Sequence, residues 1–471
     1  MFKVMLTAIS SNSGKTAVTC GLLSLLKRKG YDPCAFKCGP DYIDPMFHRS
    51  VLGISSSNLD VFLAGEEGVR EVFARNSKGH GAAVVEGVMG FYDGVRFADT
   101  VRQADGTGQN GGEFASAHHV ADLLDIPAVL VMRPKGAALT IAAVIKGAAE
   151  FRKPRRICGI IFNDCSESYY NMYGQSIEQQ SGVPVLGYVP HMEEADFDSR
   201  HLGLMTAGEI EDLAGRIDRI GEKMEETIDL ERLFAVAGAD AADYGGEATA
   251  DGAGAPNTAP KDAAVRIAVA KDDAFNFIYA ETLTALEAAG AEIAFFSPID
   301  DAALPDEIDG LYLPGGYPEL YGRQLSKNTT MLKSVRDAVH GGLPTIAECG
   351  GFLYLSSALE DNEDVRWPMV GVLPGEGSNA GKLVRFGYGY ISAETDSLLL
   401  RAGEQVPVHE FHYWDTTAAG TDMILTKVSN GQQWNFGYAN ETLYAGFPHL
   451  YLAGGGLAER FVGACKKHQA E

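Results

Sequence analysis

The sequence predicts an α/β protein of two parallel-sheet domains, on three observations. Short apolar runs alternate with helical patterns in both halves of the chain. A stretch from Ala235 to Ala264, dominated by Ala, Gly and Asp and broken by Pro256 and Pro260, separates the halves. In each half, one apolar run ends in a glycine-marked turn, near Lys15 in the first and at Cys349 in the second. The predicted organisation is a domain over 1–234, a linker over 235–264 and a domain over 265–471. The linker assignment is physical: so few large apolar residues cannot offset the entropy of ordering the segment. There is no internal repeat of the kind a solenoid requires.

Bulk properties narrow the function. At 471 residues the chain has room for about three domains of ordinary size or for two large α/β units. With 46% hydrophobic and 22% charged residues it is ordinary globular protein. A net charge of −24 disfavours nucleic acid and anionic membranes as partners, because both call for clustered Lys and Arg. Met1–Ala8 is too short and strand-like for a signal peptide, and no apolar run approaches the ~20 residues of a membrane span. Seven scattered cysteines make no disulfide framework, and Cys34 and Cys38 form a lone C-x₃-C without the second pair of a zinc site. A cytoplasmic, reduced protein is expected.

In the first half, Phe2–Ile9, Ala82–Glu86, Pro127–Met132, Ile157–Asn163 and Pro184–Val189 read as buried strands. Directly after the first comes Asn12-Ser13-Gly14-Lys15-Thr16, and then an amphipathic helix over Ala17–Lys29. This is the terminal half of a phosphate loop: backbone N–H groups cradle phosphate, Lys15 reaches the outer oxygens and the Thr16 hydroxyl ligates Mg²⁺. Ile9 replaces the usual first glycine, and Asn12 stands where a second is common; Asn tolerates positive φ well. The alternative, a chance Gly-Lys-Thr, does not account for its place between strand and helix. Two acidic stretches follow. Phe36–His48 contains Gly39-Pro40-Asp41-Tyr42-Ile43-Asp44-Pro45 and is expected to be loop. Glu86–Gly94 starts at the C-terminal end of a buried strand, where open α/β sheets bind ligands. Asp41, Asp44, Glu86 and Asp93 are carboxylates able to hold Mg²⁺ and position a reacting acid, with Thr16, Asp41 and Glu86 as the metal candidates. Singly, each would read as a solvated loop acid.

In the second half, Val265–Ala270, Ala291–Phe296, Gly310–Leu313 and Pro344–Glu348 read as strands. The last leads into Cys349-Gly350-Gly351 and an apolar helical segment, the order of a nucleophile elbow. A helix N-terminus behind the thiol favours thiolate near neutral pH. The competing reading is a buried structural cysteine. Backbone N–H groups of Gly315 or Gly316, with that of Gly350, form a candidate oxyanion hole. His449, in Ala445–Tyr451, is the candidate general base.

Cys349, His449 a hundred positions on, and an oxyanion loop before the Cys resemble class I (triad) glutamine amidotransferases. Many of these carry Glu two residues after the His; here Tyr451 stands there, the corrinoid-acting branch also lacks that Glu, and the third triad member is open, with Glu410 a candidate. The phosphate loop resembles the dethiobiotin synthetase-like ATP-dependent ligases. Partitioning ATPases, with an extra Lys where this chain has Ser10, fit less well. Gly39–Pro45, Glu86–Gly94, Arg200–Leu204, Phe275–Phe277 and Leu313–Leu320 together resemble the family of cobyrinic acid a,c-diamide synthases, over nearly the whole chain outside the linker. Cobyric acid synthases share the two-module plan but are not expected to carry the Gly39–Pro45 loop.

The resemblance implies ATP- and glutamine-dependent amidation of the a and c acetates of a corrinoid, through an acyl phosphate and glutamine-derived ammonia. Cobyrinate is the expected substrate, with hydrogenobyrinate or nickel sirohydrochlorin as alternatives and a CTP synthase-like ligase or nucleotide-binding scaffold more remote. It assigns Cys349 and His449 to catalysis, Gly316 and Gly350 to the oxyanion, and Asn12, Ser13, Gly14, Lys15, Thr16 and, against adenine, Asn163 to ATP. Asp41, Tyr42, Ile43, Asp44 and Asp93 go to substrate. Mg²⁺, ATP and L-glutamine are the implied small molecules. The partners are a corrinoid and, in assembly, a homodimer, with no nucleic acid and no membrane.

Overall fold

The computed structural model describes residues 1–101, 112–195, 207–238 and 265–470, with the side chains of 207–211 excepted. The Arg200–Leu204 run and residues 239–264 of the expected linker lie outside the described residues. The chain divides into two compact units, Met1–Val95 with Gly111–Pro256, and Arg96–Asn110 with Asn257–Glu471. Among the described residues no helix is long and apolar enough to cross a membrane.

The first unit is a seven-stranded sheet of β1 (Phe2–Thr7), β2 (Pro33–Cys38), β3 (Ser56–Leu59), β4 (Ala82–Glu86), β5 (Ala128–Met132), β6 (Ile157–Asn163) and β7 (Val185–Val189), in the order β3-β2-β4-β1-β5-β6-β7. Every pairing is parallel. Helices covering both faces explain why β1, β4, β5, β6 and β7 read as unbroken apolar runs. Chain order reverses about β1, and at such a switch point the carboxyl ends of the strands open a crevice for ligands. Helix α1 (Lys15–Arg28) starts there and packs Leu22 and Leu25 into a core shared with Ile217 and Ile220. At Gly21 a Cβ would stand 2.6 Å from Ile220 Cγ2 and Met224 Sδ, so only glycine permits this approach.

One expectation is corrected here. Phe36–His48 is not a loop throughout: Phe36–Cys38 closes β2, and Ile43 opens helix α2 (Ile43–Ser50). Pro45 is tolerated because it falls in the first helical turn, where its missing N–H has no partner to lose. The Asp41 carboxylate accepts from the N–H groups of Ile43 (2.9 Å) and Asp44 (3.1 Å), satisfying two of that turn's donors.

The second unit holds a six-stranded sheet in the order Ala291–Phe296, Val265–Ala270, Gly310–Leu313, Thr345–Glu348, Leu443–Gly446, Tyr438–Ala439. It is parallel up to the last, antiparallel pair. A five-stranded antiparallel sheet adds Gln433–Phe436, Met423–Lys427, Arg385–Ala393, Val406–His412 and His449–Leu450. The two apolar clusters of this unit hold alternate residues of one strand, Ile346 in one and Ala347 in the other.

Candidate active sites

In the first unit the turn after β1 carries Asn12 at φ 63° and Gly14 at φ 83°, the left-handed geometry a phosphate loop requires, and Asn12 takes it without glycine as expected. Asn163, at the end of β6, donates its amide to the Ser13 carbonyl at 3.0 Å. A Cβ on Gly14 would lie 2.0 Å from that same amide nitrogen. Asn163 thus braces the loop directly. Ser13 Oγ donates to the Ser10 carbonyl (2.9 Å). Lys15 Nζ donates to the carbonyls of Met89 (2.8 Å) and Ser10 (3.4 Å). Burial and the charge of Lys37 lower its pKa.

The Thr16 hydroxyl donates to Glu86 Oε1 at 2.8 Å, and Lys37 Nζ donates to the same oxygen at 2.8 Å. Lys37 also pairs with Asp44 (2.5 Å) and reaches Asp41 (4.0 Å). One buried ammonium therefore faces three of the four predicted carboxylates. Burial pushes Glu86 up to about 7 against the attraction of Lys37, with Asp44 adding to the rise. Burial, then the neighbouring Asp44, pushes Asp41 up to about 6. Asp44 is held below the usual carboxylate range, because Lys37 outweighs its burial. Asp93 stands apart from this cluster: its carboxylate accepts from Gly90 N–H at 3.2 Å and closes the Glu86–Gly94 turn. Phe91 N–H donates to Ala8 O (2.8 Å), tying that turn to the phosphate loop. Tyr42 and Ile43 are half-buried at the start of α2.

The donor set suits a hard divalent cation. Glu86 Oε2 is buried without a hydrogen-bond partner among the described residues, while its other oxygen accepts from the Thr16 hydroxyl. No described group of three or more His, Cys, Asp or Glu side chains forms a metal cage. Few protein oxygens, with phosphate and water completing the shell, is how Mg²⁺ is held.

In the second unit the strand Thr345–Glu348 ends at Cys349, whose φ 48° and ψ −103° turn the chain sharply into the helix Gly350–Leu355. Such backbone strain on a non-glycine residue is a feature of functional turns. Gly351 N–H is taken by Pro314 O at 3.0 Å. Gly350, as the first helical residue, presents one of the amides that a helix leaves unpaired. A Cβ on Gly350 would stand 3.0 Å from the Gly316 nitrogen, so the two predicted oxyanion glycines adjoin.

His449 is buried, and its Nδ1 lies 3.8 Å from Glu348 Oε2. Burial opposes its charge, but the Cys349 and Glu348 side chains beside it raise its pKa to about 10. The expected base therefore rests protonated, in contact with the thiol side chain. Its cross-strand partner His409 is pushed down to about 3 by burial and by the His449 charge. Glu410, the candidate third member, lies on the opposite face of its strand, because neighbours on a strand alternate and His409 is the residue facing His449. Glu410 bonds His412 instead, at 3.1 Å.

Sequence reading missed Lys37 and Glu348. The signal was present in both cases: a lone charge in an otherwise apolar, fully buried strand. A charge in such a place is rare unless it is paired.

A phosphate loop facing buried carboxylates, with a Cys–His elbow on a second sheet, defines a glutamine-dependent ligase. Residues 4–204 match the CobQ/CobB/MinD/ParA nucleotide binding domain, and residues 266–456 the CobB/CobQ-like glutamine amidotransferase domain. A cobyrinate a,c-diamide synthase of Clostridium tetani is 39% identical over 96% of this chain and 98% of its own. The synthase of the same name from Priestia megaterium is 34% identical over 100% of this chain and 98% of its own, and that of Salmonella typhimurium 35% over 95% of each. The chain belongs to the cobyrinate a,c-diamide synthase family. Among solved structures, PurLQS from Thermotoga maritima aligns over 44% of this chain and 99% of its own, at 18% identity and a TM-score of 0.31.

Proposed function

We propose that this chain amidates the a and c acetate side chains of cobyrinate, using ATP and glutamine. The observation that carries the reading is that one chain holds both a Lys15–Thr16 loop with Thr16 on the buried Glu86 carboxylate and a Cys349 turn with His449 beside the thiol. Cys349 attacks the glutamine side-chain amide, and the N–H groups of Gly316 and Gly350 receive the developing oxyanion. His449 gives its proton to the departing ammonia, and water then frees glutamate from the thioester. At the phosphate loop Asn12, Ser13, Gly14, Lys15 and Thr16 hold ATP, with Asn163 at their base. Thr16, Glu86 and Asp41 would hold Mg²⁺, which neutralises phosphate charge when bound. Tyr42, Ile43, Asp44 and Asp93 present the acetate. Its carboxylate is a poor electrophile until phosphorylated, so ATP supplies the acyl phosphate that ammonia attacks.

On this reading residues 1–234 form the synthetase and 265–471 the glutaminase, joined by 235–264. The protein works in the cytoplasm, with a corrinoid as its partner and neither nucleic acid nor membrane; a homodimer is a candidate assembly. The test is incubation with ATP, Mg²⁺, glutamine and, in parallel, cobyrinate, hydrogenobyrinate or nickel sirohydrochlorin. Diamide mass from cobyrinate is the expected result. Exclusive turnover of nickel sirohydrochlorin would overturn the substrate while leaving the amidase chemistry.

A further inference from the structure

We propose that Glu348 is the orienting acid of the thiol site, so that the nucleophile and the acid of its triad are consecutive residues. The inference rests on the glutaminase reading of Cys349 and adds a positioning residue to it. Glu348 is fully buried at the end of its strand. Its Oε1 accepts from Leu450 N–H at 2.9 Å, which fixes the backbone just after His449. Its Oε2 accepts from Tyr312 OH at 3.0 Å and lies 3.8 Å from His449 Nδ1. A carboxylate sealed from water is strongly disfavoured unless donors and a cation compensate it, and here two donors and an imidazolium do.

The backbone makes the adjacency workable. Glu348 follows the alternation of its strand, on the same face as Ile346, whose cross-strand partners are Tyr312 and Tyr444. At Cys349 the positive φ breaks that alternation and turns the chain away. The imidazole interacts with both side chains, thiol and carboxylate. The other titratable groups in this surround include His409, whose pKa burial lowers to about 3, the hydroxyls of Tyr312 and Tyr444, whose pKa values burial and then Glu348 push upward, Tyr279 near Tyr312, and Glu410 near Tyr444. Glu348 is thus the negative charge that steadies the imidazolium, the part an orienting aspartate plays in a serine protease triad. A carboxylate two residues after the histidine, where this chain has Tyr451, is not needed.

A purely structural Glu348 would serve equally well as an amide, since a Gln oxygen still accepts from Leu450 or Tyr312. The experiment therefore compares wild type, Glu348→Gln and Glu348→Asp in the full chain. It measures glutaminase kcat and KM, ammonia-supported amidation, and the pH profile of Cys349 alkylation by iodoacetamide. In Glu348→Gln we expect kcat for glutamine to fall about 10²- to 10⁴-fold with little change in KM. Alkylation should slow at neutral pH with its midpoint moved upward, ammonia-supported activity should be kept, and Asp should restore part of the loss. Unchanged kcat and an unchanged alkylation profile in Glu348→Gln would overturn the proposal. If that variant does not fold, Tyr312→Phe decides: a smaller shift of the alkylation midpoint in the same direction supports the role, and no shift refutes it. The alkylation profile needs no glutamine, so a wild type without glutaminase activity would refute the functional reading separately.

Discussion

Gly315 makes room for His449: a Cβ built on Gly315 would stand 2.5 Å from His449 Cε1 and 3.4 Å from both ring nitrogens. Gly315 carries no left-handed φ, so its constraint is one of space alone. Gly315→Ala is expected to displace the imidazole and lower glutamine-supported turnover about 100-fold, the scale for a misplacement of about 1 Å. Ammonia-supported turnover should be unaffected. Steady-state assays with each nitrogen source check this, and equal loss of both would place the damage outside the thiol site.

The two sites should fail independently. Cys349→Ser is expected to abolish glutamine-supported synthesis and spare synthesis from free ammonia. Lys15→Ala should abolish both, because the lost ammonium serves the phosphates rather than the nitrogen donor. Loss of both activities in Cys349→Ser would contradict separate chemistries.

Lys37 compensates Glu86, Asp44 and Asp41 at once. Lys37→Met leaves that buried negative charge unopposed and should destabilise the protein by about 3–5 kcal/mol in urea unfolding near pH 8. The deficit should shrink toward pH 5, where the carboxyls can take protons instead. A deficit independent of pH would mean that Lys37 acts through packing.

The raised pKa of Glu86 carries its own signature. The unfolded chain releases this proton near the ordinary glutamate value of 4.5, whereas burial raises that value to about 7 in the native state. Between those values the unfolded state binds fewer protons, so this group lowers stability as pH rises. Glu86→Gln should lack that slope between about pH 4.5 and 7, read as the difference between the two proteins' urea midpoints across pH. Parallel curves would refute the assignment.

Tyr42 and Ile43 lie between two acids and remain half-buried at the start of α2. Replacing them should change the ratio of mono- to diamide, by mass, without altering glutamine hydrolysis. An unmoved ratio would put substrate recognition elsewhere.

How much of this was legible in the sequence depended on how local the cause was. The strands β1, β4, β5, β6 and β7 and three of the four read in the second half were visible because burial on both faces leaves a continuous apolar run, and Ala291–Phe296, an edge strand with Phe295 exposed, from its apolar composition. β2 and β3 were not, because Lys37 and Ser56–Asn58 interrupt that texture for reasons that lie far along the chain. The antiparallel sheet of the second unit alternates in burial, and the pairing of His449 with His409 joins residues forty positions apart. Cys349, Lys15 and Thr16 announced themselves through neighbouring glycines. Glu348 stood beside Cys349 in the same run, but its role depends on a fold that returns His449 to it, which no local pattern encodes.

Two carbonyl oxygens, of Met89 and Ser10, accept from the Lys15 ammonium. The ammonium is largely withdrawn from water by this placement, so on the proposed function phosphate binding would exchange neutral oxygens for charged ones. A multiply charged anion profits from that exchange; an uncharged nucleoside does not. On the proposed function, discrimination against adenosine would follow from the position of a single side chain.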